Sequence, residues 1–515
     1  MENVASWLEV SSLTYQDKTA LVTNSGSFSF TKLESMSSSL AHYLRNNGVM
    51  KGERLLICSN EHHYVVAAIF ATLKIGAVFV VIHPETPKEM LEYYISHSGA
   101  TVILTDHALD LEETLINQVK LKIQTSHPKK KQWENIIEVL REKKDNFKAV
   151  KVSSSDIAAL IYTSGSSGNP KGVISSHGNI NFSTNVINNY LNHTFEDNVL
   201  CFLPLSFDYG LYQIFLCISK GATLIVRNST YFAFEAPGII EKYGVTGIVG
   251  VRNILTTFCK IKNIKGTNKI RYITNTGEYL DYFTITELRK LVPKADVFLM
   301  YGLTECKRVS YLPPKLIDIN YKSVGYPLNG TQVSIVNEYG EECQPFVKGE
   351  LLVKGPHVTI GYWNDKTETD KRFVYLNGNR YLKTGDIFYK DNEGLLYFVS
   401  RKDFMFKSKG YRIEPEEIES QIKKYVPTID DIIVVDYLDT SDNTIKIGYF
   451  VSVNTCEYEK AKKQLQLMIK KKIEPWKRPS KLIITKSPPL TNSGKIDRKT
   501  IRAKFEIDDE KKEDL

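Results

Sequence analysis

The chain has 515 residues, a length that suits two to four domains with large buried cores. Its 42% hydrophobic and 24% charged residues exclude both a disordered chain and a membrane bundle. A formal charge of +8, from 67 basic and 59 acidic residues, suits an anionic substrate or an acidic protein partner and is too weak to indicate nucleic acid.

At the start, MENVASWLEV lacks a basic stretch followed by an apolar one, so no secretory signal is expected. Seven cysteines lie at 58, 201, 217, 259, 306, 343 and 456 with no C-x-x-C pair, which predicts reduced thiols and a cytoplasmic location. Residues 30–47 read as a helix and 54–59 as a strand. Residues 64–82, YVVAAIFATLKIGAVFVVI, are long enough to cross a bilayer. Lys74 and Gly76 interrupt that run and its second half is β-branched, so a buried helix followed by a buried strand is expected, with no membrane association.

A helix over 88–98 and strands over 77–82, 101–105, 222–226 and 246–251 continue an alternation that predicts α/β sheets covered by helices. HPKKK (127–131) reads as a solvated turn. From about residue 349 the chain turns β-rich, with turns at YWND and YLNGNR. Past Asp403, helices near 415–424 and 457–472 and strands at 432–437 and 445–453 predict a separate small α+β domain. The expected division is therefore 1–402 and 403–515. The tail DDEKKEDL is expected to fray, and no internal repeat is visible.

Between two short strands, 157–161 and 172–174, lies YTSGSSGNPKG (162–172). Small hydroxyls, glycines and one lysine have little to bury, and they match a polyphosphate's acceptor oxygens and charge. The spacing of Gly165, Gly168, Lys171 and Gly172 is not that of a P-loop, G-x-x-x-x-G-K-[ST]. Pro170 precedes the lysine and no hydroxyl residue follows it. A flexible linker is the bland alternative.

Four further segments accompany this loop: MYGLTECKRVSYLPP (300–314), with Thr304 and Glu305; YLKTGDIFYKDNEG (381–394), presenting Asp386 after a strand; SRKDFMFKSKGYRIEPEEIE (400–419), with Arg401 and Asp403; and PLTNSGKIDRKTI (489–501), with Lys495 in a loop. Singly each is weak. In this order and separation the set resembles the adenylate-forming superfamily of acyl- and aryl-CoA synthetases, luciferases and carrier-loading adenylation domains, over nearly the whole chain.

The resemblance implies that a carboxylate attacks the α-phosphate of ATP, pyrophosphate leaves, and the acyl group then passes from AMP to a thiol. It assigns Thr163, Ser164, Gly165, Ser166, Gly168 and Lys171 to the β- and γ-phosphates, Thr304 to the α-phosphate and Glu305 to Mg²⁺. Asp386 would accept from the ribose hydroxyls with Arg401 nearby, and Tyr301 would pack against adenine. Lys495 would bridge the carboxylate and the α-phosphate. Rotation of the small domain about a hinge at Asp403 would then bring the Gly410–Tyr411 segment in for thiol transfer.

In FLPLSFDYGLYQIF (202–215), acyl-CoA synthetases typically carry a histidine where this chain has Phe207 and Asp208. That pair resembles amino-acid-activating domains, in which the aspartate meets the substrate's α-ammonium, and a carboxylate at a pocket wall needs such a cation. By the same alignment Tyr209, Tyr212, Val249, Ile273, Asn275, Met300, Arg308 and Val309 would line the pocket. The look is that of stand-alone ligases that load proline onto a carrier protein. Arg308 departs from an apolar imino-acid pocket; it fits an acidic substrate side chain or a structural cation, the second being the reading preferred from sequence.

Nothing within the chain looks like a small acidic helical carrier, so the expected acceptor is the phosphopantetheine thiol of a separate carrier protein, or coenzyme A. A CoA ligase for a small organic or fatty acid is the alternative within the superfamily. A degenerate nucleotide-binding protein is the alternative outside it.

Overall fold

The computed structural model describes residues 3–126, 132–141, 146–163, 169–227, 232–277, 280, 282–401, 406–413, 415–426, 428–442, 444–453, 458–489 and 496–507. HPKKK (127–131) and the end of the tail lie outside them. The chain divides into two compact units. The larger comprises residues 1–84, 88–162 and 172–400; the smaller comprises 85–87, 163–171 and 401–515.

Three sheets build the larger unit. The first has nine strands in the order Tyr326–Pro327, Ser310–Leu312, Asp296–Tyr301, Tyr272–Asn275, Gly247–Gly250, Asn198–Cys201, Thr223–Val226, Thr19–Thr23 and Gly26–Ser29. Its inner strands run parallel and its outermost pairs antiparallel. The inner strands are buried along almost their whole length, as expected where helices cover both faces. Seven strands form the second sheet, ordered Glu134–Asn135, Leu121–Gln124, Ala100–Thr105, Arg54–Cys58, Val78–Val81, Ile157–Thr163 and Lys171–Ser176. The third is an antiparallel sheet of Gln332–Val336, Gly349–Lys354, Asn379–Lys390 and Phe373–Leu376, with Leu396–Arg401 paired to the long strand. Asn377 and Gly378 turn the hairpin that YLNGNR announces, both at positive φ.

The run that imitates a membrane span is the helix His62–Lys74 followed by the strand Val78–Val81, and every residue from Val65 to Lys74 is buried. Lys74 is fully buried, and its ammonium donates to Glu34 at 2.7 Å, Glu9 at 3.1 Å and the Phe147 carbonyl at 3.3 Å. A cation satisfied within the protein replaces the water it lacks. No helix among the described residues is long and apolar enough to cross a membrane.

In the smaller unit the hairpin Asp431–Asp439 and Thr444–Ser452 is joined in parallel by Lys481–Thr485. Alternation along the hairpin splits its apolar side chains. Ile432, Val434 and Tyr449 pack with helices Pro415–Tyr425 and Tyr458–Lys472; Ile433, Val435 and Phe450 pack with Arg498–Ile507 through Ile501 and Phe505. The third strand and the last helix do not stand out in the sequence, where lysines and arginines dilute the apolar pattern. Lys477 is buried between Glu417 (2.7 Å) and Glu474 (3.1 Å).

Candidate active site

Met300, Tyr301 and the loop that carries Thr304, Glu305, Arg308 and Val309 lie where a parallel strand of the nine-stranded sheet ends, the usual ligand edge of an open α/β sheet. Strand Asp296–Tyr301 runs into the loop 302–309, which turns back sharply. A Cβ at Gly302 would lie 2.0 Å from the Lys307 carbonyl oxygen, and Lys307 itself has φ +57°.

The loop's Glu305 is 1% exposed, and its Oε1 accepts from the Tyr362 hydroxyl at 2.7 Å. The Arg372 guanidinium lies 3.9 Å from the same carboxylate and donates to the Thr384 carbonyl at 3.0 Å. Burial pulls the pKa of Arg372 down, but Glu305, Tyr362 and Asp386 together hold it above its usual value. Asp386 accepts from the Tyr301 hydroxyl at 2.6 Å, and the Tyr301 ring meets Phe388 edge-on at 4.8 Å. One network therefore joins Tyr301, Asp386, Arg372, Glu305 and Tyr362. Asp386 lies inside the strand Asn379–Lys390 rather than after a strand; the register slips opposite Glu350, and Gly385 adopts φ +70°.

The segment 359–363 ties this network to the strand that follows the Gly/Ser loop. The Ile174 amide donates to Gly361 at 3.1 Å, the Trp363 amide to Gly172 at 2.8 Å, and the Thr359 amide to the Glu305 carbonyl at 2.7 Å. Tyr162, just before the loop, is anchored by its hydroxyl 2.7 Å from His97 Nδ1 and by an edge contact with Tyr94. Thr163 ends one flanking strand, and Lys171 opens the next with its side chain buried. Ser164, Gly165, Ser166, Gly168, Asp403 and Lys495 lie outside the described residues. Arg401 ends the strand Leu396–Arg401.

Asp208 is the first residue of the helix Asp208–Lys220, whose N-cap, Phe207, is extended. It is half-buried, where the helix dipole favours a carboxylate. One turn on, the Tyr212 ring carries the Lys307 ammonium at 5.8 Å from its centroid, and that ammonium donates to the Thr304 carbonyl at 2.7 Å. Burial lowers the pKa of Lys307 to about 8, opposed by Asp208 and Glu305. Sequence reasoning passed over Lys307, Tyr362 and Arg372.

Tyr209 bonds Thr274 hydroxyl to hydroxyl at 2.6 Å, and the Arg308 guanidinium lies 5.3 Å from the centre of its ring. The Tyr190 hydroxyl donates to Met300 Sδ at 3.0 Å, and its ring stacks on Tyr311 at 4.1 Å. Burial pushes the Tyr190 hydroxyl up to about 12, with Arg308 opposing.

Register sorts the expected pocket residues. Val249 pairs with Thr274 and Thr274 with Phe298, so these share a face with Met300, two residues further on. Ile273 and Asn275 occupy the opposite face, beside Val297 and Leu299. Thr274 is the residue of its strand that shares a face with Val249 and Met300. Val309 packs instead with Leu303, Cys306 and Tyr301 in the core of the antiparallel sheet.

A family model described as AMP-binding enzyme matches residues 8–363, more than half of the chain. The chain belongs to the AMP-binding enzyme family. Structures of its neighbours hold AMP or an acyl-adenylate, and AMP-binding ligases use ATP. The first curated relatives of this AMP-binding enzyme are 26% identical over 498 residues, and the chain spans 46% of their length. The D-alanine–D-alanyl carrier protein ligase of Bacillus licheniformis is 27% identical over 512 residues, 96% of this chain and 98% of that one. Among solved structures, o-succinylbenzoate CoA synthetase from Bacillus subtilis superposes with a TM-score of 0.80 at 25% identity, over 96% of this chain and 98% of that one. VinN in complex with L-aspartate does so with a TM-score of 0.66 at 30% identity, over 77% and 98%.

Proposed function

We propose that this enzyme activates an amino acid as an aminoacyl-adenylate and then loads it onto the phosphopantetheine thiol of a separate carrier protein. The observation that carries this reading is Asp208, a carboxylate at the helix start beside Tyr209 and Tyr212, where a substrate's ammonium would answer it. A carrier-protein ligase among full-length relatives supports the same acceptor.

In the first half-reaction a carboxylate oxygen of the amino acid attacks the α-phosphorus, and the bond to the pyrophosphate oxygen breaks. Lys495 offsets the meeting of two anions, and Thr304 holds the α-phosphate. Residues Thr163 to Lys171 receive the β- and γ-phosphates. Asp386, fixed by Tyr301, accepts from the ribose hydroxyls, with Arg401 nearby. In the second half-reaction the thiol sulfur attacks the mixed anhydride's carbonyl carbon and AMP leaves. Residues 403–515, turning at Asp403, exchange the two arrangements.

Mg²⁺ suits the donor set. Among the described residues no cluster of three or more His, Cys, Asp or Glu gathers for a metal, and Mg²⁺ held mainly by phosphates and water needs only one or two carboxylates, here Glu305. When bound it supplies charge neutralisation at the phosphates.

A second reading, a CoA ligase for a simple acid, is favoured by Lys307, which offers Asp208 a cation from the protein itself. Substrate-dependent ATP–pyrophosphate exchange across amino acids and simple carboxylic acids separates the two. The carrier-loading reading predicts exchange with an amino acid and its loss in Asp208→Ala. Exchange only with simple acids, indifferent to Asp208→Ala, supports the second.

A further inference from the structure

Arg308 is 6% exposed, yet its Nε and Nη1 have no hydrogen-bond partner among the described residues, and none of the described carboxylates pairs with it. A guanidinium keeps its charge at any physiological pH and has five donors to satisfy, so a buried one without an anion is costly. Its surroundings do not meet that cost. The Tyr209 face offers a cation–π contact and the Tyr190 hydroxyl, which donates its own proton to Met300, accepts one hydrogen bond from the guanidinium; neither is an anion, and Nε and Nη1 stay open. Structural arginines in this protein look different. Arg271 is held by both oxygens of Asp197 and by the Leu191 carbonyl, and Arg498 by both oxygens of Glu419.

Its position adds a direction. Arg308 stands over Tyr209, and Tyr209 adjoins Asp208 in the first turn of the same helix. The first turn of this helix therefore carries a carboxylate and, over the next residue, a guanidinium with open donors. The complement of that pair is a zwitterion whose far end is an anion.

We infer that Arg308 is the specificity-determining residue of the site and selects an amino acid whose side chain ends in a carboxylate. This inference rests on the amino-acid reading above and replaces the proline preference suggested by sequence. A side-chain carboxylate that accepts from Nε or Nη1 satisfies an orphaned donor and pairs the charge, while Asp208 receives the α-ammonium. Tyr209 and Tyr190 flank the guanidinium. A neutral isostere such as asparagine leaves the cation uncompensated and is rejected; a site built for a polar group discriminates strongly against analogues that lack it.

The test is ATP–pyrophosphate exchange by the full chain with L-aspartate, L-glutamate, L-asparagine, L-proline and succinate, repeated with Arg308→Gln and with Arg308→Lys. The melting temperature of each variant is recorded so that lost activity is separated from lost fold. The expected result is exchange with aspartate or glutamate, with kcat/KM about 100-fold or more above asparagine. Arg308→Gln should erase that ratio by raising KM for the acidic amino acid, and Arg308→Lys should restore part of it. If proline or another neutral amino acid drives exchange and Arg308→Gln leaves its kcat/KM unchanged, Arg308 is structural and this inference falls while the amino-acid reading stands. If succinate exceeds both acidic amino acids and still depends on Arg308, the amino-acid reading falls and the anion-binding role stands.

Discussion

Buried cations do two different jobs here. Lys74 is enclosed by Glu9, Glu34 and a backbone carbonyl, a closed arrangement with nothing left to bind. Burial raises the pKa of Glu34 above the usual carboxylate range, and Lys74 opposes the rise. Lys74→Ala removes the cation and strands the carboxylates; a loss of roughly 3–5 kcal/mol is expected in urea unfolding. Adding Glu34→Gln should return part of it. Arg308 is the open counterpart, a cation whose partners are missing from the protein. Sequence could flag both residues as charges in apolar runs, but not which was closed, because Glu9 lies 65 residues and Phe147 73 residues from Lys74.

At the level of elements, the alternation of strand and helix and the hairpin turn at Asn377 were legible from periodicity and turn chemistry. Face was not. A shift of one residue turns every side chain of a strand to the other side, and register alone shows that Thr274, with Ile273 and Asn275 on the opposite face, shares the face of Val249. Tyr362 and Arg372 were invisible for a different reason. Tyr362 reaches Glu305 from 57 residues away, and nothing in the polar helix Lys366–Arg372 announces that its last residue lies beside the buried Glu305 carboxylate. The start of the helix Asp208–Lys220 depends on Gly210, where a Cβ would lie 2.4 Å from the Pro204 carbonyl oxygen. Gly210→Ala should therefore displace Asp208 and Tyr209. A rise in KM for the carboxylic substrate of roughly tenfold or more, with KM for ATP little changed, is the expected signature in steady-state exchange kinetics.

Across the whole molecule, four histidines tie stability to pH. Burial holds the imidazoles of His62, His177, His193 and His357 down to about 4. In the unfolded chain they titrate near 6.5, so above that pH both states are neutral there and the fold is unpenalised. As pH falls from about 6.5 towards 4, the unfolded chain takes up protons that the native one refuses, and stability is lost at up to about 1.4 kcal/mol per pH unit for each histidine. Melting temperatures should drop steadily across that window. His357→Leu should flatten the slope, since neither ring nitrogen of His357 has a hydrogen-bond partner to lose. An unchanged slope in that variant would place the acid sensitivity elsewhere.

We propose that this AMP-binding enzyme is an AMP-forming ligase that works through an aminoacyl-adenylate in two separable half-reactions. The most direct measurement incubates the enzyme with α-labelled ATP and L-aspartate or L-glutamate, first without and then with a phosphopantetheinylated carrier protein. Before the carrier is added, label should appear in an aminoacyl-adenylate with an equal amount of pyrophosphate; afterwards it should be released as AMP while the carrier gains the aminoacyl mass. Label appearing in ADP, or AMP release that is indifferent to both amino acid and carrier, would contradict it.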